Sequence, residues 1–287
     1  MADAESPSKA RAADPLIAFS TLAYPEWDAK RIVTEAASIG YDAIEWRGGP
    51  QGHVRPAWSQ RQRADLRRRM ADQGVGALCV TAYTSFVSPS QADRTKSVEE
   101  LARHIELASD LGAPFVRAFA GIREDEAPES DLHVRFATEL ERVVDLAVEA
   151  GVVIAIEQHD DFDRAAQVAA MLDLCDHPGL GAVWDVANGW AAGEDPHVGL
   201  DAIRGRLSYA QLKDGAGPRE DWRPSNFGAG DVPLQDAVRG LLALDRAVPI
   251  SVEWLRAWSD DLALPEIALP EALRFVKGLV AGATSTR

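Results

Sequence analysis

Four oxygen-bearing side chains each follow a short apolar run of the sequence. They are Glu157 in VVIAIEQHDD, Asp185 in LGAVWDVANG, Gln211 in LSYAQLKDGA and Glu253 in VPISVEWLRA. Strands of a parallel barrel all point the same way, so residues at their carboxyl ends converge on one mouth, where the active sites of that architecture lie. Three carboxylates and an amide suit a divalent cation that prefers oxygen ligands. The recurrence therefore predicts a divalent-metal site.

A repeated unit supports the barrel that such a site needs. An Ala-rich amphipathic helix, a glycine and a short apolar strand recur along the chain, with the glycines at Gly40, Gly74, Gly112 and Gly151. Each glycine falls where a helix would end in a left-handed cap. Strands rich in Val, Ile and Ala without polar alternation indicate burial on both faces, as in a parallel sheet covered by helices. The predicted strands lie near 16–21, 43–47, 77–83, 114–119, 152–157, 181–185, 207–212 and 249–253.

Eight strands alternating with helices predict an α/β fold, a single-domain (β/α)8 TIM barrel. The length of 287 residues allows one such barrel, which we assign to residues 15–282 behind a flexible N-terminal tail, residues 1–14. A doubly wound open sheet is the alternative. That fold would carry a phosphate-binding loop after its first strand, but the segment FSTLAYPEWD contains no glycine-rich fingerprint.

Composition and charge exclude several function classes. The chain is 46% hydrophobic and 26% charged, which is typical of a protein with a sizeable buried core. The net charge of -15 would repel nucleic acids and anionic membranes, so neither is expected as a partner. No secretory signal or membrane span is evident, and we expect a cytoplasmic protein. Cys79 and Cys175 lie in apolar contexts and are interpreted as buried thiols.

Two long segments that we expect to be irregular loops follow the last predicted strands. Residues 214–233, DGAGPREDWRPSNFGAGDVP, have the length of a lid or binding loop. Residues 255–273, LRAWSDDLALPEIALPEAL, follow the eighth strand and are expected to pack over the mouth or to build an interface. The exposed Trp and Pro residues of this second segment lead us to expect a homodimer.

The order of these motifs resembles the xylose isomerase-like TIM barrels known as sugar phosphate isomerases/epimerases. The resemblance runs from Ile17 to Val276 and rests on VRAFAG, EQHDDF, the Asp of strand six, LKD, GAGDVP, and SVEW with LPEIALPEAL. It implies a metal held by Glu, Asp, His and Glu from strands five to eight. These positions correspond to Glu157, Asp185, Gln211 and Glu253 in this chain.

The third ligand departs from the pattern of the family. Gln211 stands where the family has a histidine, and Asn188 replaces a second histidine that commonly follows the Asp of strand six. An amide oxygen can bind Mg²⁺ or Mn²⁺, but it is a weaker ligand than imidazole for softer transition metals. The substitution therefore favours one hard cation, Mn²⁺ or Mg²⁺, or no metal.

The resemblance implies proton abstraction next to a carbonyl. A metal that polarises the carbonyl lowers the cost of forming an enediolate. Glu157 and Glu253 would flank the substrate carbon and act as the acid/base pair, for epimerisation or aldose/ketose isomerisation of a sugar, keto-sugar or related polyol. Asp185 and Gln211 would be mainly ligands.

Several neighbouring side chains are candidate substrate contacts. His159 lies two residues beyond Glu157 and so points to the same side of an extended chain, although it could equally be a loop histidine bonded to backbone. Lys213 could neutralise an enediolate. Arg117 and Arg256 could bind a carboxylate or phosphate of the substrate, or they could pair with acidic residues of the chain. Tryptophans near the strand ends (Trp46, Trp184, Trp254, Trp258) could pack against sugar faces or simply fill the core. The substrate-binding set is Glu45, Arg117, His159, Asn188, Lys213, Trp254 and Arg256.

Three alternatives remain open. The same enolate chemistry would serve a dehydratase or lyase that acts on a keto-cyclitol, a dehydroshikimate-like acid or a 3-keto-glycoside. A non-catalytic or accessory subunit that has lost the family histidine is the second. The third is the endonuclease branch of the superfamily, but that site needs more histidines and a basic cleft, whereas this chain has six histidines and is acidic.

Overall fold

Eight parallel strands close into a barrel with helices outside it in the computed structural model of the chain, which describes residues 14–285. Residues 1–13 of the predicted tail lie outside the described residues. The strands are β1 (Ile17–Ser20), β2 (Ala43–Arg47), β3 (Gly76–Thr81), β4 (Phe115–Phe119), β5 (Val153–Glu157), β6 (Leu180–Asp185), β7 (Leu207–Leu212), β8 (Asp214–Ala216), β9 (Arg223–Ser225) and β10 (Ile250–Val252).

The helices lie between the strands and continue beyond the last one. They are α1 (Ala29–Ile39), α2 (Gln60–Asp72), α3 (Gln91–Leu111), α4 (Glu129–Glu141), α5 (Val144–Glu149), α6 (Ala165–Cys175), α7 (Val186–Ala191), α8 (Pro196–Ile203), α9 (Leu234–Leu242) and α10 (Pro265–Ser285). Across residues 14–285, every helix is too short or too polar to cross a lipid bilayer.

The strand order around the barrel is β1-β10-β7-β6-β5-β4-β3-β2, and β8 and β9 form a separate antiparallel hairpin. The TIM-barrel prediction is therefore confirmed. The predicted bounds of β2 and β7 agree with the structure, and the other barrel strands differ by at most two residues at an end. The eighth barrel strand ends at Val252, yet the Glu253 amide still donates to Leu212 O at 2.8 Å. Glu253 thus stays in line with the sheet.

Left-handed glycines end the helices as the repeated unit predicts. Gly40, Gly74, Gly112 and Gly151 have φ angles of 92°, 68°, 76° and 69°, a region that favours glycine. At the other end of α1, the side chain of Asp28 accepts from the Arg31 amide at 2.8 Å, which caps the helix. These caps fix where each helix returns the chain to the barrel.

The barrel interior consists of an apolar layer below a polar one. Side chains two apart in a strand share a face, so the two layers are separated by a step of two residues. The lower layer includes Ala18, Ala43, Cys79, Ala155, Val183 and Tyr209. Two residues further along each strand, the buried positions are Ser20, Glu45, Thr81, Glu157, Asp185 and Gln211. The polar floor of the mouth is therefore dictated by strand periodicity.

The two long segments differ in structure. Residues 214–233 contain the β8–β9 hairpin and a short 3₁₀ helix at Arg219–Asp221. The second segment is only partly irregular, because α10 begins at Pro265, and this corrects the prediction of a loop through residue 273. Proline suits the first turn of a helix, where its missing N–H would have no partner. Cys79 and Cys175 are free thiols, buried and partly buried respectively.

Candidate active site

A guanidinium lies at the centre of the polar floor. Arg117, which β4 directs inward, is 3% exposed and brings Nη1 within 2.9 Å of Glu157 Oε2, 3.2 Å of Glu45 Oε1 and 3.5 Å of Glu253 Oε1. Its Nε donates to Thr81 Oγ1 at 3.2 Å. Buried charges persist when they are paired and hydrogen-bonded. Arg117 therefore joins three strand ends electrostatically and fixes the positions of their carboxylates.

A second cation, Lys213, lies on the opposite side of Glu253. Its Nζ contacts the Asp185 carboxylate closely and lies 2.8 Å from Glu253 Oε2. Because Lys213 follows Gln211 by two residues, the same strand face delivers both side chains to the floor. Glu253 is thus held between an ammonium and a guanidinium.

Gln211 serves as a hydrogen-bond donor in this floor. Its Nε2 donates to Glu45 Oε1 at 3.0 Å and to Glu253 Oε1 at 3.5 Å. Its Oε1 is buried without a hydrogen-bond partner, as is Glu45 Oε2. The amide therefore links two carboxylates through its N–H groups.

The predicted metal ligands do not fit a resident metal ion in this arrangement. The ammonium of Lys213 lies between Asp185 and Glu253, and Gln211 turns N–H groups toward the carboxylates. A metal ligand must offer a lone pair, and in the Gln211 amide only Oε1, which has no hydrogen-bond partner, could do so. Throughout the described part of the chain, no group of three or more His, Cys, Asp or Glu residues is arranged to hold a metal.

Glu157 and Glu253 have different surroundings, which shift their pKa values in opposite directions. Burial raises the pKa of Glu157 to about 7 although Arg117 acts in the opposite direction. Burial would also raise the pKa of Glu253, but the charges of Lys213 and Arg117 outweigh it and lower that pKa to about 2. Burial would lower the pKa of Lys213, yet Asp185 and Glu253 raise it well above its ordinary value. Glu253 is therefore the more strongly stabilised carboxylate, and Glu157 is the more readily protonated of the two.

His159 and Asn188 form one wall above the floor. Asn188 Nδ2 donates to Gln158 O at 2.9 Å and to Glu157 Oε1 at 3.5 Å, while its backbone amide donates to Asp185 Oδ1 at 3.0 Å. His159 is partly exposed, and its Nδ1 lies 3.0 Å from Asp160 Oδ1. The structure therefore brings both residues to the mouth, next to the predicted acid/base pair.

An open cavity of about 650 Å³ lies over this floor. That volume is typical of a small-molecule site. Arg117, Glu157, Lys213 and Glu253 line its base, while Glu45, Asp185 and Gln211 lie behind them. Five charged lining residues form the rim of the cavity: Asp93, Lys96, Glu100, Glu124 and Asp160.

Aromatic side chains that sequence position did not predict add walls to the cavity. Tyr83, Phe119 and Trp222 line the cavity together with the predicted Trp258. Tyr83 and Trp258 are 45% and 60% exposed, and the Arg47 guanidinium lies 5.8 Å and 4.8 Å from the centres of their rings. The sequence predicts Tyr83 at the end of a strand and Trp222 in a loop, and neither position indicates a role in binding.

Three predicted substrate contacts are outside the described lining of the cavity: Glu45 lies behind its base, and Trp254 and Arg256 lie elsewhere. Trp254 is buried in the core, where its Nε1 donates to Ala263 O at 3.0 Å. Arg256 does not belong to the described lining of the cavity. Trp46 and Trp184 are also buried, at 0% and 1% exposure, so packing accounts for them. A residue that follows a strand end can turn back toward the helices, and for these residues sequence position could not decide the direction.

Comparison with known proteins shows which family shares this barrel. Residues 33–279 match the family described as xylose isomerase-like TIM barrel. The chain belongs to this family. L-ribulose-5-phosphate 3-epimerase UlaE of Salmonella heidelberg (strain SL476) is 24% identical over 259 residues, which cover 88% of this chain and 89% of UlaE. The sequence of this xylose isomerase-like barrel is therefore similar to that of a sugar epimerase.

Solved structures show the same fold. A structure of L-ribulose 3-epimerase matches this xylose isomerase-like barrel with a TM-score of 0.80 at 20% identity and covers 95% of this chain and 96% of its own. A structure of the IolI protein with a zinc atom matches with a TM-score of 0.77 at 18% identity, over 94% and 98% of the two chains. A metal has thus been observed in a protein of this fold.

Proposed function

We propose that the protein is an epimerase or isomerase of a sugar, keto-sugar or related polyol that removes a proton from the carbon next to a carbonyl. One observation carries the proposal. Glu157 and Glu253 line the same cavity and both lie against Arg117 Nη1, at 2.9 and 3.5 Å. Two carboxyl groups at one cationic point suit the removal of a proton and its return.

The proposed reaction balances with groups of this chain. One carboxylate takes the proton, the electron pair of the C–H bond forms a carbon–carbon double bond, and the carbonyl oxygen becomes an enediolate oxygen. A proton returned to the opposite face of the same carbon gives the epimer. A proton returned to the former carbonyl carbon, with transfer of the neighbouring hydroxyl proton to the enediolate oxygen, gives the isomer. The different environments of Glu253 and Glu157 support base and acid roles respectively.

The relatives support this reaction class. UlaE is named as an epimerase of L-ribulose 5-phosphate, and the solved L-ribulose 3-epimerase shares the fold over nearly the whole chain. A resident Mn²⁺ or Mg²⁺, which the family resemblance implies, does not fit the described floor, so no step here passes through one. The predicted homodimer remains a prediction, and the proposed site draws its residues from one chain.

Deuterium exchange in D₂O tests the proposal. Wild-type protein is incubated with a panel of ketoses and aldoses, and products are analysed by mass spectrometry and NMR. We expect an epimer or isomer that carries solvent deuterium at the reacting carbon. Glu157→Gln and Glu253→Gln should each slow turnover about 10²- to 10⁴-fold, the usual contribution of a general acid or base.

Glu149→Gln serves as the matched control, because Glu149 is an exposed residue of α5 outside the cavity. It should keep the wild-type rate. Wild-type rates in both active-site variants would refute the acid/base pair. A product lighter by water or by an aglycone would replace the isomerase with the lyase alternative, and the absence of any exchange would favour an accessory role.

A further inference from the structure

We propose that this site works without a resident divalent ion, and that the Lys213 ammonium, supported by the Arg117 guanidinium, stabilises the enediolate instead. The inference rests on the proposed function for its chemistry. Its structural part concerns which positive charge holds the carboxylates of the floor. That part can be tested without any substrate.

Each carboxylate predicted to bind a metal already has a cation of the chain as its partner. Glu157 pairs with Arg117 at 2.9 Å, Asp185 is in close contact with Lys213, and Glu253 pairs with Lys213 at 2.8 Å and Arg117 at 3.5 Å. A dication placed among them would be repelled by an ammonium and a guanidinium that are both buried. The floor is therefore arranged around protein cations.

Gln211, which stands where the family has a histidine, agrees with this arrangement. An imidazole at this position could present a lone pair to an ion, but the Gln211 amide points Nε2 at Glu45 Oε1, 3.0 Å away, and at Glu253 Oε1, 3.5 Å away. An amide N–H is a donor and cannot coordinate a cation. Gln211 thus holds two carboxylates through Nε2, and its Oε1, which has no hydrogen-bond partner, is a weaker ligand for softer transition metals than the imidazole it replaces.

Lys213 has the capacity to reach substrate as well. An ammonium has three donors, of which Asp185 and Glu253 accept two. Lys213 also lines the cavity, so its third N–H can donate to an oxygen of a bound sugar. As the C–H proton moves to a carboxylate, negative charge develops on the former carbonyl oxygen, and a fixed cationic donor at that oxygen stabilises it. No oxidant, reductant or further cofactor is needed.

Titration with Mn²⁺ alone, followed by electron paramagnetic resonance, tests directly whether the site binds a divalent ion. Wild-type protein dialysed against EDTA should bind no Mn²⁺ at millimolar concentration and should keep its deuterium-exchange rate. The double variant Gln211→His/Lys213→Met should bind about one Mn²⁺ per chain, because it gains an imidazole ligand and loses the ammonium. Circular dichroism confirms that each variant is folded.

Lys213→Met alone, which keeps a long unbranched side chain, should lower turnover about 10²- to 10³-fold, as expected for loss of a stabilising donor. The proposal is overturned if wild type binds one Mn²⁺ tightly, or if EDTA abolishes an activity that Mn²⁺ restores. A folded double variant that binds no Mn²⁺ would show that these two residues do not exclude the ion. If no sugar is converted, the proposed function fails while the Mn²⁺ titration still decides the question of the ion.

Discussion

Arg117 illustrates how one residue can control both stability and chemistry in this protein. Its guanidinium contacts carboxylates from β2, from β5 and from the position after β10, which lie far apart in sequence. A strand end that carries a single acid can face water, but three buried acids around one point require a cation. The floor therefore depends on Arg117 before any substrate binds.

Arg117→Ala should lower the free energy of unfolding by about 3–5 kcal/mol, since removing one partner of a buried ion pair leaves the other charges uncompensated. Urea denaturation followed by circular dichroism measures the change. Arg239→Ala is the control, because Arg239 pairs with Asp236 at 3.4 Å while their side chains are 49% and 52% exposed. That pair should contribute less than about 1 kcal/mol. Equal losses in the two variants would show that the Arg117 cluster does not stabilise the fold.

At the residue scale, the sequence was informative where strand geometry decides the outcome. Glu45, Glu157, Asp185 and Gln211 could be predicted at the floor because barrel strands end at one mouth. The contacts of these residues could not be predicted. The carboxylate that Lys213 approaches, for example, depends on side-chain rotamers and on the neighbouring strands. The sequence thus predicted the members of the cluster better than the contacts among them.

At the scale of elements, the hairpin of β8 and β9 depends on one carboxylate. Asp214 is buried and accepts the backbone amides of Gly215 at 2.9 Å, Gly228 at 2.7 Å and Gly230 at 3.2 Å. A Cβ at Gly230 would lie 2.2 Å from Asp214 Oδ1, so this approach requires glycine. The loop that carries Trp222 into the cavity is therefore anchored at its base.

Asp214→Ala should loosen this segment. Each hydrogen bond to a charged acceptor contributes about 1.5–3 kcal/mol, so the amides of residues 215–230 should exchange with solvent at least about tenfold faster. Hydrogen exchange with mass spectrometry measures the rates. Asp221→Ala is the control, because Asp221 forms an exposed pair with Arg223 in the same hairpin. If exchange in this segment is equally slow in both variants, Asp214 is not its anchor.

Elements could be predicted where periodicity and caps agree. Helix, glycine and apolar strand recur, and the structure confirms the barrel strands to within two residues at either end. The sequence places LPEIALPEAL in an irregular segment, yet α10 begins within it at Pro265. Pro265 occupies the first position of that helix, where proline costs little, and Ala268, Leu269 and Leu273 pack into the core. Tertiary packing decided this boundary, and local sequence could not show it.

At the scale of the whole molecule, charge bears on the choice of substrate. The chain carries a net charge of -15, and the rim has acids at Asp93, Glu100, Glu124 and Asp160 beside Lys96. Such a field repels anions before they reach a cavity. The base of the cavity adds little long-range attraction for an approaching anion, because Arg117 and Lys213 are already paired with carboxylates.

An uncharged ketose should therefore react at least about tenfold faster, in kcat/KM, than the same sugar carrying a phosphate, and added salt should narrow the gap by screening the rim. Steady-state kinetics at low and high ionic strength measure both effects. Asp93→Asn/Glu124→Gln should raise kcat/KM for the phosphorylated sugar and leave the neutral one nearly unchanged. A sugar phosphate preferred at low salt would contradict this and would point to the specificity that the name of UlaE implies.

In the proposed metal-free mechanism, the position of Lys213 between Asp185 and Glu253 has a consequence for the cell in which the protein works. An electrophile that is part of the polypeptide is made with the chain, in a fixed ratio of one to one. It cannot be lost during metal starvation or replaced by the wrong ion when another metal is abundant. In return, the cell cannot tune such an enzyme by exchanging one ion for another, so a change in its chemistry has to come through mutation.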